Sequence, residues 1–178
     1  MTVHKVAAMT LTPEQLFARL AALGIETRSH RHPPLNTVAE SQALRGELAG
    51  GHIKNLFLRD KKRRIWLVTV LEDRRVDLKA LRRRIGAQGT LSFGSAELLA
   101  EVLGVAPGAV TPFGVVNDTE HRVTLILDRA VLAHDPVNCH PLVNHMTTAI
   151  APDDLLRFLD ACGHPPQIVD FDAPAPAA

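Results

Sequence analysis

The chain has 178 residues, 46% of them hydrophobic and 22% charged, and a net charge of +1, which suits one globular domain with a sizeable core. Its two cysteines exclude a disulfide framework. No signal-peptide pattern and no apolar stretch of ~18 residues is present, so we expect a soluble, cytoplasmic protein without membrane association.

Hydrophobic periodicity and turn residues predict alternating short helices and strands in the first half of the chain. Capping boxes mark helix starts, glycines mark helix ends, and two β-rich runs around a charged turn predict a hairpin. In chain order the predicted elements are a helix from a capping box at Thr12 and Gln15 to Gly24, a strand over 25–30, a break at His32-Pro33-Pro34, a short helix from a capping box at Thr37 and Glu40 towards Leu48, a hairpin of 53–59 with 65–71, and a helix from Asp77 to Ile85.

The second half contains a loop rich in glycine and proline, Gly104 to Asp118. Gly reaches φ values that other residues avoid, and Pro fixes φ, so such a loop has a defined shape. The other predicted elements are strands over 90–93, 114–116, 123–127, 130–133 and 168–171, helices from Ser95 to Leu103 and from Pro152 to Ala161, an irregular polar segment over 140–150, and a flexible Pro/Ala tail over 172–178. The irregular interleaving predicts a mixed α/β sheet without regular βαβ winding.

Charge is distributed unevenly along the chain. Residues 1–84 hold 17 of the 20 basic and 8 of the 19 acidic side chains, a net of +9, and the remaining 3 and 11 give residues 85–178 a net of −8. A basic patch can attract phosphates, although a solvated hairpin tip and helix face would have the same composition. The basic run comprises Arg59, Lys61, Lys62, Arg63, Arg64, Arg74, Arg75, Lys79, Arg82, Arg83 and Arg84.

Familiar catalytic and metal-binding patterns are absent from the sequence. There is no G-x-S-x-G motif, and the histidine spacings do not match a zinc site, so we expect neither a metal nor a cofactor. Cys139 beside His140 leaves a thiol nucleophile open, although a small buried cysteine is the commoner case. Lys54 lies in an otherwise apolar strand and needs an anion, which either an acidic side chain or a ligand can supply.

Taken together, several short motifs resemble those of the YbaK-type aminoacyl-tRNA deacylases, and most closely the freestanding prolyl-tRNA editing proteins. The latter are similar to the editing domain inserted in some bacterial prolyl-tRNA synthetases. The motifs are H-P-P at 32–34, I-K-N-L-F-L at 53–58, D-L-K at 77–79, L-S-F-G-S at 91–95, L-G-V-A-P-G-A-V-T-P-F at 103–113, N-D at 117–118, H-P-L-V-N at 140–144, T-T at 147–148, D-L-L-R-F-L at 154–159 and G-H-P-P at 163–166.

The resemblance implies a single-domain α/β fold, a mixed, barrel-like sheet surrounded by helices, over residues 1–171. It implies a trans-editing hydrolase for mischarged tRNA(Pro), and the alanyl-tRNA(Pro) branch fits best because the G-G-C-S-P loop typical of the cysteinyl branch is absent. The expected partners are the 3′ end and acceptor stem of that tRNA, and prolyl-tRNA synthetase is a further candidate. The expected catalytic residues are Lys54, Gly108, Ala109, Val110, Thr111 and Pro112, and the expected substrate-binding residues are His32, Asn55, His140, Asn144, Met146 and Thr147.

The implied chemistry uses no nucleophilic triad. Backbone amides of residues 108–111 would stabilise the oxyanion, Lys54 would hold the 3′-terminal phosphate or ribose, and the terminal ribose hydroxyl of the substrate would help to activate water. Two alternatives stay open at this point: a non-catalytic tRNA-binding module of the same fold, and a deacylase for cysteinyl- or seryl-tRNA.

Overall fold

The computed structural model describes residues 9–35 and 38–178. None of its helices has the length and hydrophobicity that crossing a membrane requires. The helices in this part of the chain are α1 (Pro13–Ala22), α2 (Val38–Glu47), α3 (Leu78–Ile85), α4 (Ala96–Leu103) and α5 (Pro152–Ala161). The strands are β1 (Thr27–Arg31), β2 (Gly51–Arg59), β3 (Ile65–Leu71), β4 (Ser92–Phe93), β5 (Val123–Asp128), β6 (Val137–Cys139), β7 (Met146–Ile150) and β8 (Gln167–Val169).

The eight described strands form one mixed sheet. Its order is β1, β7, β6, β2, β3, β5, β8, and β4 pairs with β2 outside this path. The predicted hairpin of β2 and β3 is antiparallel and regular from Ile53↔Leu71 to Arg59↔Ile65. β5 pairs in parallel with both β3 and β8. The predicted mixed α/β class is therefore confirmed.

Side-chain caps fix the helix ends where the sequence places them. The capping box of α1 is present, because Thr12 accepts from the Gln15 amide and Gln15 accepts from the Thr12 amide. Asp77 caps α3 by accepting from the Lys79 amide, and Ser95 caps α4 by accepting from the Leu98 amide. The capping box predicted at Thr37 and Glu40 includes a residue outside the described ones.

The sheet carries a hydrophobic cluster on each face. The larger cluster includes Phe57 and Leu67 and packs under α1, α4 and α5. The smaller one joins Leu58 and Trp66 of the hairpin to Leu81 of α3. Because side chains alternate along β2, Phe57 and Leu58 belong to opposite clusters. A side chain on β2 can therefore be assigned to a face by its position in the strand.

Two predicted strands are 3-10 helices. Residues 114–116 lie in the turn Pro112–Asn117, and residues 130–133 lie in Arg129–Ala133. Each turn begins with a side-chain cap that a strand would not have: the Phe113 amide donates to Thr111 Oγ1, and the Ala130 amide donates to Asp128 Oδ1. These strand predictions were wrong because local capping and Pro112 outweigh the β propensity of the apolar residues.

The segment over 140–150 is less irregular than predicted. Its second part is β7, which pairs antiparallel with β1 from Thr27↔Ile150 to Arg31↔Met146. β7 also pairs with β6, another strand missing from the prediction. Both are short, and their neighbours in the sheet are distant in sequence, so local patterns carry little signal for them.

The C-terminal segment is joined to the hairpin side of the sheet by two arginines. Arg74 forms ion pairs with the buried Asp128 and with Asp172. Arg84 donates to the carbonyl oxygens of Asp170, Phe171 and Ala173. Both guanidinium groups also lie over the Phe171 ring. These contacts bind residues 170–173 to α3 and to the turn that precedes it.

Candidate active site

The sheet opens along one edge of β2. On this edge β6 pairs with β2 only at Gly51 and His52, and β4 pairs with it only at Leu58 and Arg59. No described strand covers residues 53–57 between these pairings. The Glu72 amide donates to the His52 carbonyl, so the main-chain groups of His52 face β3 and those of Ile53 and Asn55 face the opening.

Asn55 links this opening to the glycine- and proline-rich loop. Its Nδ2 donates to the Val110 carbonyl at 3.1 Å, and its Oδ1 accepts from the Thr69 hydroxyl at 2.6 Å. Thr69 is fully buried on β3. The two bonds fix which way the Asn55 amide faces, because a hydroxyl and a carbonyl are on its two sides. The hairpin thus holds the loop through one side chain.

The loop offers fewer free amides than the sequence implied. The Ala109 amide donates to Ala106 O at 2.9 Å within a short 3-10 turn, so Ala109 is unavailable as an oxyanion donor. The Val110 carbonyl points at Asn55, and in a trans peptide the following Thr111 N–H points the opposite way. Thr111 and Pro112 are buried and start the next turn. Gly108 and Val110 are the two candidate donors that this geometry leaves.

Gly108 lies against the segment that precedes β7. A Cβ added to Gly108 would stand 3.2 Å from Asn144 Nδ2, which is tighter than an ordinary carbon contact. The absence of a side chain at 108 therefore lets Asn144 approach the loop backbone. Two of the predicted site residues meet here although they are distant in sequence.

A second group of predicted residues is organised by histidines. His140 Nδ1 donates to the Met146 carbonyl at 3.1 Å, and the ring of His140 lies 6.4 Å from that of His32. His32 Nδ1 donates to Pro33 O, so in the neutral ring Nε2 accepts from the Thr147 hydroxyl at 2.8 Å. Met146 contributes its carbonyl to this group, and its side chain is buried in the protein.

Burial lowers the pKa of His140, and the nearby His32 lowers it further, while the Met146 carbonyl and Glu72 act in the opposite direction. The net shift is downwards, so His140 is neutral at neutral pH. With its Nδ1–H directed at Met146, the ring presents Nε2 as a proton acceptor.

Asn55, His140 and Thr147 share one small cavity. Its volume is about 90 Å³, and it lies where β2, β6 and β7 meet. Burial raises the pKa of the Cys139 thiol in its wall, which disfavours the thiolate that a nucleophile needs. The other lining residues are Leu35, Ser41, Leu44, His52, Ile53, Glu72 and Asn138.

Lys54 does not line this cavity. The pairing of β2 with β3 is regular, so Lys54 leaves the strand on the face opposite to Asn55, together with its Cα partner Val70. Its side chain is half-buried and forms no ion pair with a described carboxylate. The structure therefore brings Lys54 beside the site and not against the loop.

Several members of the basic run have internal roles. Arg64 pairs with the buried Asp60 and lies over the Trp66 ring, and Arg74 and Arg84 hold the C-terminal segment. Other members are exposed on the hairpin tip and along α3, namely Lys61, Lys62, Arg63, Arg75, Lys79 and Arg82.

The sequence prediction missed Thr69 and most of the cavity wall. Thr69 is the lone hydroxyl in an apolar strand, and that pattern was a usable signal for a buried polar contact. His52 on β2, Glu72 just after β3 and Asn138 on β6 are distant in sequence, and only the sheet order brings them together.

Comparison with known proteins identifies the family. The sequence profile of the aminoacyl-tRNA editing domain matches residues 32–158. Prolyl-tRNA synthetase associated domain-containing protein 1 of Danio rerio is 45% identical over 155 residues, which cover 86% of this chain and 84% of that protein. Prolyl-tRNA editing protein ProX of Acetoanaerobium sticklandii is 35% identical over 152 residues, 85% and 92% of the two chains.

A solved structure of a candidate trans-editing enzyme for prolyl tRNA synthetase shares the fold. Its TM-score is 0.68 at 22% identity, and the match covers 90% of this chain and 98% of that one. The motifs, the mixed sheet and the extent of these matches agree, and the chain belongs to the aminoacyl-tRNA editing domain family.

Proposed function

We propose that this protein is a trans-editing hydrolase that removes the amino acid from mischarged tRNA(Pro), and that its substrate is alanyl-tRNA(Pro). Membership of the editing family supports hydrolysis of an aminoacyl ester, and the relative named for prolyl-tRNA editing supports the tRNA. Prolyl-tRNA synthetase is the partner suggested by the name of the Danio rerio relative.

The observation that carries the proposal is the small polar cavity, which is connected to the loop by its lining residue Asn55. Its volume of about 90 Å³ equals roughly three water molecules at ~30 Å³ each. Such a space accommodates a small side chain such as the methyl group of alanine. A synthetase pocket built for proline cannot reject a smaller side chain strongly, since a missing methylene is worth only ~1–3 kcal/mol. A second, smaller site supplies the missing discrimination.

His140 is the proposed general base. Its Nε2 takes a proton from water while the water oxygen attacks the ester carbonyl carbon. The amides of Gly108 and Val110 donate to the resulting oxyanion. When the intermediate collapses, the carbon–oxygen bond to the ribose breaks and the imidazolium returns the proton to the ribose oxygen. The products are the free amino acid and intact tRNA.

Lys54 has a different proposed task. It is a half-buried cation on the face of β2 opposite to Asn55, and no described carboxylate neutralises it. We therefore assign it to a phosphate near the 3′ end and not to the ester carbonyl. A cation in this position orients the ester before reaction, which is how binding contacts distant from the reacting atoms raise a rate.

The test is deacylation of alanyl-, prolyl-, cysteinyl- and seryl-tRNA(Pro), with alanyl-tRNA(Ala) alongside. We expect rapid loss of alanine from tRNA(Pro) and no loss of proline. His140→Ala should lower kcat by ~10²- to 10⁴-fold. His145→Ala is the matched control, because His145 lies in the same segment with an exposed side chain.

Three results would contradict the proposal. Full activity of His140→Ala would show that His140 is not the general base. Faster hydrolysis of cysteinyl- or seryl-tRNA(Pro) than of alanyl-tRNA(Pro) would show that alanyl-tRNA(Pro) is not the preferred substrate. Hydrolysis of none of the esters, with tight tRNA binding retained, would identify a binding module instead.

A further inference from the structure

An aromatic side chain is exposed close to the open edge of β2. Phe93 is 65% exposed, whereas the other phenylalanines in the described part of the chain are at least partly buried. It lies on β4, whose pairing with β2 at Leu58 and Arg59 fixes its position. The next amide, that of Gly94, donates to Phe57 O at 2.9 Å and continues this anchoring. The ring is therefore presented to solvent by a rigid element.

Cations surround this ring. Phe93 lines a groove of about 400 Å³ together with Arg59, Lys61 and Arg63 at the end of the hairpin. The acid in the groove, Asp60, is buried and paired with Arg64. Lys61 and Arg63 are exposed and form no ion pair with a described carboxylate. The remaining lining residues are Ser92, Gly94 and Ser95.

We propose that Phe93 is a stacking platform for an unpaired base near the 3′ end of the tRNA, and that Arg59, Lys61 and Arg63 contact the adjoining phosphates. This inference rests on the proposed function for the identity of the RNA. Grooves that bind single-stranded nucleic acid combine a cationic wall with an exposed aromatic face, because every base can stack and every phosphate is negative.

The spacing along β2 agrees with one strand of RNA reaching the cavity. Leu58, the Cα partner of Phe93, is three residues from Asn55, which at ~3.3 Å per residue is ~10 Å. A stacked strand rises ~3.4 Å per nucleotide, so about three nucleotides span that distance. Paired residues share a face, and alternation places Lys54 on the face of Leu58 and Phe93. Lys54 therefore lies on the same face as the platform, one residue beyond Asn55, and the RNA would cross the open edge of β2 to bring its ester to the cavity.

Charge favours RNA over a second copy of this chain. A self-complementary contact would bring the cations of two such grooves together at the twofold axis, and like charges in contact oppose association. A polyanion meets no such penalty and neutralises the same side chains. A single RNA strand then accounts for both features, because its base stacks on the exposed ring and its phosphates contact the cations.

The experiment measures binding of two RNA hairpins without an attached amino acid to the full chain. One hairpin ends in the unpaired tRNA(Pro) 3′ sequence, and the other is truncated to a blunt end. We expect Phe93→Ala to weaken binding of the first hairpin by ~5- to 100-fold and to leave the second unchanged. Phe93→Trp should retain the affinity, and Phe93→Leu should behave like alanine. Ile168→Ala is the control, an exposed apolar residue on β8 at the far end of the sheet.

The proposal would be overturned if Phe93→Ala bound each hairpin as tightly as the unchanged protein does. It would also be overturned if the substitution weakened the binding of both hairpins equally. If analytical sedimentation showed a dimer of the unchanged protein and a monomer of Phe93→Ala, the ring would mediate self-association, and this would also overturn the proposal. The proposed function is judged separately by ester hydrolysis: overhang-dependent binding that needs Phe93, without any deacylation, would refute the hydrolase and leave the platform standing.

Discussion

The bond between Thr69 and Asn55 gives the sharpest test of how the hairpin positions the loop. Thr69→Val keeps the shape of the side chain and removes the hydroxyl that donates to Asn55 Oδ1 at 2.6 Å. Without that donor, the Asn55 amide is free to turn, and its Nδ2 loses the orientation that holds the Val110 carbonyl. Thr69 does not line the cavity, so it acts as a positioning residue through Asn55.

Two magnitudes follow from this geometry. A buried polar group left without its partner costs ~1–3 kcal/mol, and the half-buried Asn55 belongs at the lower end, about 1–2 kcal/mol of unfolding free energy. For a domain of this size that is a fall in Tm of ~2–8 °C. A catalytic group displaced by ~1 Å loses ~10²-fold in rate, so we expect kcat to fall by ~10- to 100-fold.

The assay is steady-state deacylation of alanyl-tRNA(Pro), with thermal unfolding of each variant. Thr69→Ser retains the hydroxyl and should keep kcat near the unchanged value, whereas KM should differ little in both variants because the RNA contacts lie elsewhere. An unchanged kcat in Thr69→Val would refute the reasoning. Equal losses in the valine and serine variants would show that packing around residue 69 matters as much as the hydrogen bond.

Three further predictions concern titratable groups. The deacylation rate should fall only below pH ~6.5, because the lowered pKa of His140 delays its protonation as the pH falls. The unfolded state binds that proton first, so the free energy of unfolding also falls below this pH. A rate that already falls above pH 7 would contradict this prediction. Burial raises the pKa of the Cys139 thiol, so iodoacetamide at pH 8 should spare both it and activity in the folded protein, as peptide mass mapping would show. Asp118→Asn breaks the buried pair with His164 and should lower the free energy of unfolding in urea by ~3–5 kcal/mol; a change under 1 kcal/mol would show that the pair is dispensable.

Local signals were sufficient for most of the helices and for the hairpin. Thr12, Asp77 and Ser95 satisfy helix amides within three residues of themselves, so the sequence next to each cap contains the information. β6 and β7 depend on partners distant in sequence, and a short window cannot show those. The turn after Thr111 was mistaken for a strand because its apolar residues are buried for reasons unrelated to sheet pairing.

The candidate site was predictable in its composition and not in its geometry. The motifs predicted Asn55, His140 and Thr147 as site residues, and the structure places all three around one cavity. The same motifs could not show that Lys54 faces away from Asn55, since that depends on strand register. The Ala109 amide is a further example, because a 3-10 turn engages it and composition does not reveal which amides a loop uses.

The two arginines that bind the C-terminal segment also decide how much positive charge the protein shows to its surroundings. The family match ends at residue 158, yet Arg74 and Arg84 are neutralised or capped by residues beyond it. A shortened protein that ended before residue 170 would lose these contacts, which would free the Arg84 guanidinium next to an already basic surface and leave Arg74 paired with Asp128 alone. It would gain indiscriminate affinity for nucleic acid as it lost stability. Under the proposed function, the last residues therefore help to keep the selectivity of RNA binding, although they lie outside the part of the chain that matches the family.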